Sequence, residues 1–190
     1  MKEWDIDWEA QWASFAPGFK DGVLTVGNVK LKAGPGFGDL SHPTTKLTLG
    51  LLKEIVKEKN LLDIGSGSGI LSLVGYSLGA KTVLGVEIDP EAIEHAKKNA
   101  LLNGFPIQFS LPGDDLPPFL EGVIAMNMIS SVQEKAWKSL PRLENFKGDL
   151  VISGLLAKEE QEAMTRFEKR GWHFVKVKKS KEWIALQFRK

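Results

Sequence analysis

Leu61-Leu62-Asp63-Ile64-Gly65-Ser66-Gly67-Ser68-Gly69-Ile70-Leu71-Ser72-Leu73, with Val83-Leu84-Gly85-Val86-Glu87-Ile88-Asp89-Pro90 after it, is the stretch whose reading decides the fold. An apolar run enters a loop with glycine at alternate positions. A helical pattern leaves the loop, with Leu71, Val74 and Leu78 on one face and Gly79 as a stop. A second apolar run then ends in a carboxylate. Strand, glycine loop, helix, strand, acid is the nucleotide-binding half of a doubly wound α/β sheet. The glycines let backbone N–H groups approach a ligand that any Cβ would hold off.

The charges in this stretch bear on the ligand. A dinucleotide site calls for G-x-G-x-x-G and a helix N-terminus free for a pyrophosphate. Here the spacing is G-x-G-x-G, and Asp63 stands two residues ahead of the first glycine. A carboxylate there repels a pyrophosphate and suits a ligand with an ammonium group. S-adenosylmethionine has that ammonium, a ribose diol and no phosphate. Glu87 closes the second strand, where an acid accepts from ribose hydroxyls, each such charge-assisted bond being worth roughly 1.5–3 kcal/mol. Asp63, Gly65, Gly67 and Glu87 are therefore the first candidates for cofactor binding. A glycine turn in some other α/β protein is the competing reading.

Outward from this centre, Met1 to Phe19 carries an aromatic stripe of Trp4, Trp8, Trp12 and Phe15 at helical spacing, expected to pack on the body of the protein or to dock a partner. Pro17-Gly18 stops that helix. Val23 to Val26 and Val29 to Lys32 read as a hairpin about Gly27-Asn28. Ala33 to Leu40 is glycine-rich and has no period, a mobile loop by this reading. A helix follows, with Ser41 as the expected N-cap, Pro43 in its first turn, and Leu47, Leu51, Leu52 and Ile55 on its buried face.

On the other side, Asp89-Pro90 starts a helix lined by Ile93, Ala96 and Ala100. Strands are expected at Ile107 to Leu111, Gly122 to Met126 and Asp149 to Ser153, and helices around Val132, Ala136, Trp137 and Leu140 and from Lys158 to Arg170. Two alternating runs from Trp172 to Phe188 close the chain as a hairpin. Five strand–helix units followed by two strands predict a Rossmann-like, doubly wound, seven-stranded methyltransferase sheet with its last strand antiparallel. An N-terminal helix and short hairpin precede it. Residues 1–40 are expected to form the linker helix, hairpin and gating loop, and residues 41–190 the catalytic domain. Ligands of such sheets bind at the carboxyl ends of the strands. Asp63, Gly65, Glu87, Asp114 and Asn127 all fall at those ends.

Composition narrows the function classes. A chain of 190 residues supports a full core in one domain, and 43% hydrophobic with 26% charged residues is ordinary for a globular protein. Net charge of +1 argues against nucleic acid or an anionic membrane as the partner. With no cysteine there is no thiolate metal site and no cysteine nucleophile. No stretch has the length of a membrane span, so a cytoplasmic protein is expected. His42, His95 and His173 share no metal-ligand spacing. His42 sits at a helix start, His95 on a polar helix face and His173 in a strand, all three read as structural.

Methyl transfer from a sulfonium is an in-line displacement, so the protein mainly aligns and desolvates the partners. An acceptor amine must present a lone pair, and a lysine with its ordinary pKa of ~10.4 must lose a proton first, which a dry pocket favours. Asn127 is the candidate positioner: its amide oxygen and a neighbouring carbonyl can accept from an amine. Thr45 is placed to reach the cofactor's amino-acid end, and Asp114 or Asp115 its adenine. The basic residues Lys176, Lys178, Lys179, Lys181, Arg189 and Lys190 read as a solvated strand face.

From about Asp7 to the C-terminus the chain resembles the PrmA family, the methyltransferases of ribosomal protein L11. The resemblance is carried by Gly38-Asp39-Leu40-Ser41-His42-Pro43-Thr44-Thr45, by Glu87-Ile88-Asp89-Pro90, by Ala125-Met126-Asn127-Met128 and by Ser153-Gly154-Leu155-Leu156. It implies cofactor contacts at Thr45, Gly65, Glu87 and Asn127, and N-methylation of a protein amine, a lysine or an α-amino group. A ribosomal protein is the implied substrate, with a related protein, a small molecule or RNA as alternatives, and cofactor binding without turnover as another. The family loop reads Gly-Thr-Gly-Thr. Here Leu40 replaces its second glycine, so a stiffer loop is expected. The family carries an N-terminal recognition domain ahead of the linker helix, and this sequence is expected to lack it.

Overall fold

The computed structural model describes residues 6–113 and 115–190. Trp4 and Asp114 lie outside them. A short helix, α1 (Trp8–Phe15), leads into three strands, β1 (Phe19–Lys20), β2 (Val23–Val26) and β3 (Val29–Lys32), paired in an antiparallel sheet of their own. The rest alternates: α2 (Pro43–Ile55), β4 (Asn60–Ile64), α3 (Ile70–Ser77), β5 (Thr82–Val86), α4 (Pro90–Leu102), β6 (Gln108–Ser110), β7 (Glu121–Asn127), α5 (Ser130–Lys138), β8 (Lys147–Leu156), α6 (Glu160–Glu168), β9 (His173–Ser180) and β10 (Trp183–Arg189).

The large sheet has seven strands in the order β6-β5-β4-β7-β8-β10-β9. β4 through β8 run parallel, and β10 slots between β8 and β9 antiparallel to both. The expected architecture is the one observed. The central strands are apolar runs because both faces of the sheet are covered. Leu61, Val83, Val123 and Val151 face α2, α3, α4 and the small hairpin; Leu62, Leu84, Ile124 and Ile152 face Trp137 of α5 and Phe167 of α6. No helix among the described residues is long and apolar enough to cross a membrane.

Several local expectations need correction. The N-cap of α2 is His42 rather than Ser41: Thr44 N–H points at His42 Nδ1, while Ser41 bonds to Asp39. On α5 the inward face is Gln133 and Trp137, and Val132 is 38% exposed. In α1 only Trp12 of the aromatic stripe is buried; Phe15 faces solvent.

His95 is also buried, at 7% exposed, not out on a polar face. The cause is a polar stripe at helical spacing along α4. Asn103 and Asn99 accept from the backbone of Lys30 and Lys32, and the His95 ring nitrogens lie 2.6 and 2.9 Å from the carbonyl oxygens of Pro35 and Lys32. β3 is an edge strand whose free backbone groups need partners, and this stripe supplies them.

Candidate active site

The five parallel strands present their carboxyl ends at one rim. β4 ends there in the glycine loop, β5 in Glu87 and β7 in Asn127. Glu87 Oε2 accepts from Gly67 N–H at 3.0 Å, and Oε1 from the N–H groups of Ile88 and Asp89 at 2.7 and 3.2 Å. Phe37 crosses the loop from the other side, its carbonyl accepting from Ser68 N–H at 3.0 Å. A Cβ on Gly67, whose φ is +52°, would stand 2.5 Å from that carbonyl, so the crossing requires glycine there. The loop read as mobile is thus tied to the glycine loop; Ser68 Oγ also donates to the Gly38 carbonyl.

Asp63 lies beneath the glycine loop, fully buried. Its Oδ2 accepts from Ser72 N–H and Oγ at 3.0 and 2.7 Å, which stitches strand end to helix start. Burial pushes the carboxyl up to about 7; the bonds from Ser72 oppose that rise and the Glu87 charge adds to it. Oδ1 has no partner among the described residues, nor do Ser66 Oγ and Asn127 Oδ1, both also buried. Three unpaired polar oxygens thus sit around the ends of β4 and β7.

Asn127 Nδ2 lies 3.4 Å from Thr45 Oγ1, so the first turn of α2 meets the end of β7. Beyond them stands an aromatic wall. The His42 ring is edge-on to Phe37 at 5.7 Å and to Trp183 at 4.5 Å between centroids. Burial holds His42 below the ordinary imidazole range against the opposing charges of Glu182 and Asp39. Its Nδ1 is engaged with Thr44 Oγ1 at 2.8 Å, a structural bond. Trp183 reaches the rim because β10 is antiparallel: its first residue pairs with Leu156, the last of β8. Sequence reading missed both Phe37 and Trp183; Trp183 carries no signal until the insertion of β10 is known.

Leu40 adopts φ +63°, the left-handed conformation that a glycine would take without strain. Asp39 supports the turn, its Oδ1 accepting from Ser41 N–H and Oγ.

Thr45, Asp63, Gly65, Gly67, Glu87 and Asn127 are therefore gathered at one end of one sheet, and Asp114 lies outside the described residues. The C-terminal basic residues are not simply solvated. Lys176 and Lys178 pair with Glu54, Lys179 with Glu160, and Arg189 with Asp149.

This strand order, with its inserted antiparallel strand and glycine loop, defines the α/β methyltransferase class. The family model described as "Ribosomal protein L11 methyltransferase (PrmA)" matches residues 5–190. The chain belongs to that family. A ribosomal protein L11 methyltransferase of Thermotoga neapolitana is 32% identical over 162 residues, 83% of this chain and 61% of that protein. One of Geobacter sulfurreducens is 33% identical over 178 residues, 94% of this chain and 58% of its own length. The chain thus spans about three-fifths of the length of these curated relatives. A crystal structure of ribosomal protein L11 methylase from Lactobacillus delbrueckii subsp. bulgaricus superposes with a TM-score of 0.70 at 27% identity, over 95% of this chain and 92% of that one.

Proposed function

We propose that the chain is a cytoplasmic S-adenosylmethionine-dependent N-methyltransferase of protein amines, lysine side chain or α-amino group, with ribosomal protein L11 as the first candidate substrate. The observation that carries this reading is Asn127. Its Oδ1 is buried at the rim with no partner among the described residues. An unpaired buried acceptor costs about 1–3 kcal/mol, and an amine N–H satisfies it while leaving the nitrogen lone pair free.

The residues present fit the cofactor. Asp63 Oδ1 and Ser66 Oγ are buried near Glu87 and unpaired among the described residues, and acids and serines suit an ammonium and a diol rather than a pyrophosphate. When bound, S-adenosylmethionine supplies an electrophilic methyl on sulfur. Glu87 would hold the ribose, Gly65 and Gly67 would admit the chain of the cofactor, Asp63 would answer its ammonium, and Thr45 would contact its amino-acid end. Asn127 would orient the acceptor nitrogen. Phe37, His42 and Trp183 would flank it, and aromatic surroundings favour the uncharged amine that can react.

The test is incubation with labelled methyl donor and purified ribosomal protein L11, then the same with cell lysate, followed by mapping of the labelled residue. Label on a lysine or an α-amino group, lost in Asn127→Ala, is expected. Label on free metabolites alone, or S-adenosylhomocysteine binding without any transfer to protein, would overturn it.

A further inference from the structure

Gln133 sits on α5 and is 1% exposed, yet it is a polar residue on the face that should be apolar. Both donors of its amide, and its carbonyl oxygen, have partners. Nε2 donates to the Met128 carbonyl at 2.8 Å and to the Ser153 carbonyl at 3.0 Å. Oε1 accepts from Arg166 Nη2 at 2.6 Å. Arg166 is itself held, with Nη1 donating to Ser130 Oγ and Nε 3.4 Å from Glu134.

The two carbonyls have a specific place. Asn127 pairs with Ser153 across β7 and β8, and Met128 N–H donates to the Ser153 carbonyl at 3.1 Å. Met128 is thus bonded at both its N–H and its C=O immediately after Asn127, where the chain leaves the strand. Among the described residues the Asn127 side chain, by contrast, is held by the 3.4 Å contact to Thr45 alone. Its aim is therefore set by the backbone that follows it. A primary amide is the group that offers two donors to two carbonyls and one acceptor to a guanidinium.

We propose that Gln133 is a positioning residue: through the Met128 and Ser153 carbonyls it fixes the direction of the Asn127 amide. This rests on the role given to Asn127 above. The claim concerns orientation, and a small error in the aim of an aligning group is costly to rate while leaving cofactor affinity untouched.

Gln133→Met keeps the length and volume and removes the donors. The first readout needs no turnover: the side-chain amide resonance of Asn127 in nitrogen-15 NMR, assigned by its loss in Asn127→Ala. It should shift in Gln133→Met. Calorimetry should give S-adenosylhomocysteine affinity within about twofold of the parent, and kcat should fall about tenfold or more with KM little changed. An unmoved Asn127 resonance, or a kcat within about twofold of the parent, overturns the proposal, whatever happens to Tm. Should the parent protein transfer no methyl group, the functional reading falls while the resonance still decides the role of Gln133. If Gln133→Met does not fold, Arg166→Lys replaces it, since an ammonium cannot bond Ser130 and Gln133 as a fork does, and the same shift is expected.

Discussion

The carboxylate of Glu87 holds the Gly67 N–H at 3.0 Å, so the acid that follows β5 and the loop that follows β4 form one unit before any ligand arrives. The two features read as separate signals in the sequence, a glycine spacing and an acid after the next strand. In the fold they are a single preorganised surface, which lowers the ordering cost of binding. Glu87→Ala should therefore weaken S-adenosylhomocysteine binding by about 2–3 kcal/mol, since it removes a charge-assisted acceptor and frees the loop. Calorimetry decides the point; affinity within about twofold of the parent would mean the ribose lies elsewhere.

Leu40 gives a sign test that ordinary positions do not. At a usual φ, replacing a half-buried leucine by glycine destabilises more than replacing it by alanine, because glycine costs more chain entropy. At φ +63° the order should invert. Both variants lose the packing of Leu40 against the core, but only glycine sheds the left-handed strain, on the order of 1 kcal/mol. Denaturant midpoints for Leu40→Gly and Leu40→Ala measure it, and an alanine variant as stable as the glycine one would show the turn to be unstrained.

At the opposite end of the sheet Asp149 is 1% exposed and bonded by Lys59, Gln187 and Arg189. Burial alone would raise its carboxyl, but the three donors outweigh burial and hold it below the ordinary range. A depressed native pKa means stability that is fully present above the unfolded value of ~3.9 and is lost as pH falls through the native one. Asp149→Asn should cost about 1–3 kcal/mol at pH 7 and flatten the acid limb of a stability–pH curve. Urea titrations of both proteins from pH 3 to pH 7, at ~one-unit steps, would show the two curves converging at the acid end.

The sheet was readable because its strands are buried on both faces and so appear as unbroken apolar runs, Val123 to Met126 and Leu150 to Ile152 among them. The candidate site was readable because parallel strands place their carboxyl ends at one rim. Asp63, Glu87 and Asn127 each follow a run whose end the sequence shows. What stayed hidden depends on partners distant in sequence. His95 looked solvated because its neighbours on α4 are polar, and those polar groups serve β3. Gln133 gives no local sign of burial, because its amide partners are backbone carbonyls of β8 and of the turn after β7 and an arginine of α6. Trp183 reaches the rim through strand direction, which no local pattern of one hairpin records.

Asp63 should give a pH dependence opposite to that of Asp149. Its carboxyl is raised to about 7 by burial, so in the ligand-free protein the native state keeps a proton that the unfolded chain releases near ~3.9. The native state binding more protons makes stability fall as pH rises between those two values, by at most about 1.4 kcal/mol per pH unit from this one group. Asp63→Asn removes the titration and should leave the ligand-free protein more stable than the parent at pH 8, with its Ser72 bonds partly kept. Cofactor binding should show the reverse. A ligand ammonium paired with Asp63 selects the ionised carboxylate, so S-adenosylhomocysteine affinity of the parent should rise from pH 6 to pH 8, and that rise should vanish in Asp63→Asn. Parallel thermal shifts, with and without the ligand, separate the two effects. A parent affinity that is flat across this range would place the ammonium out of reach of Asp63 and leave the carboxylate as a stitch between β4 and α3 alone.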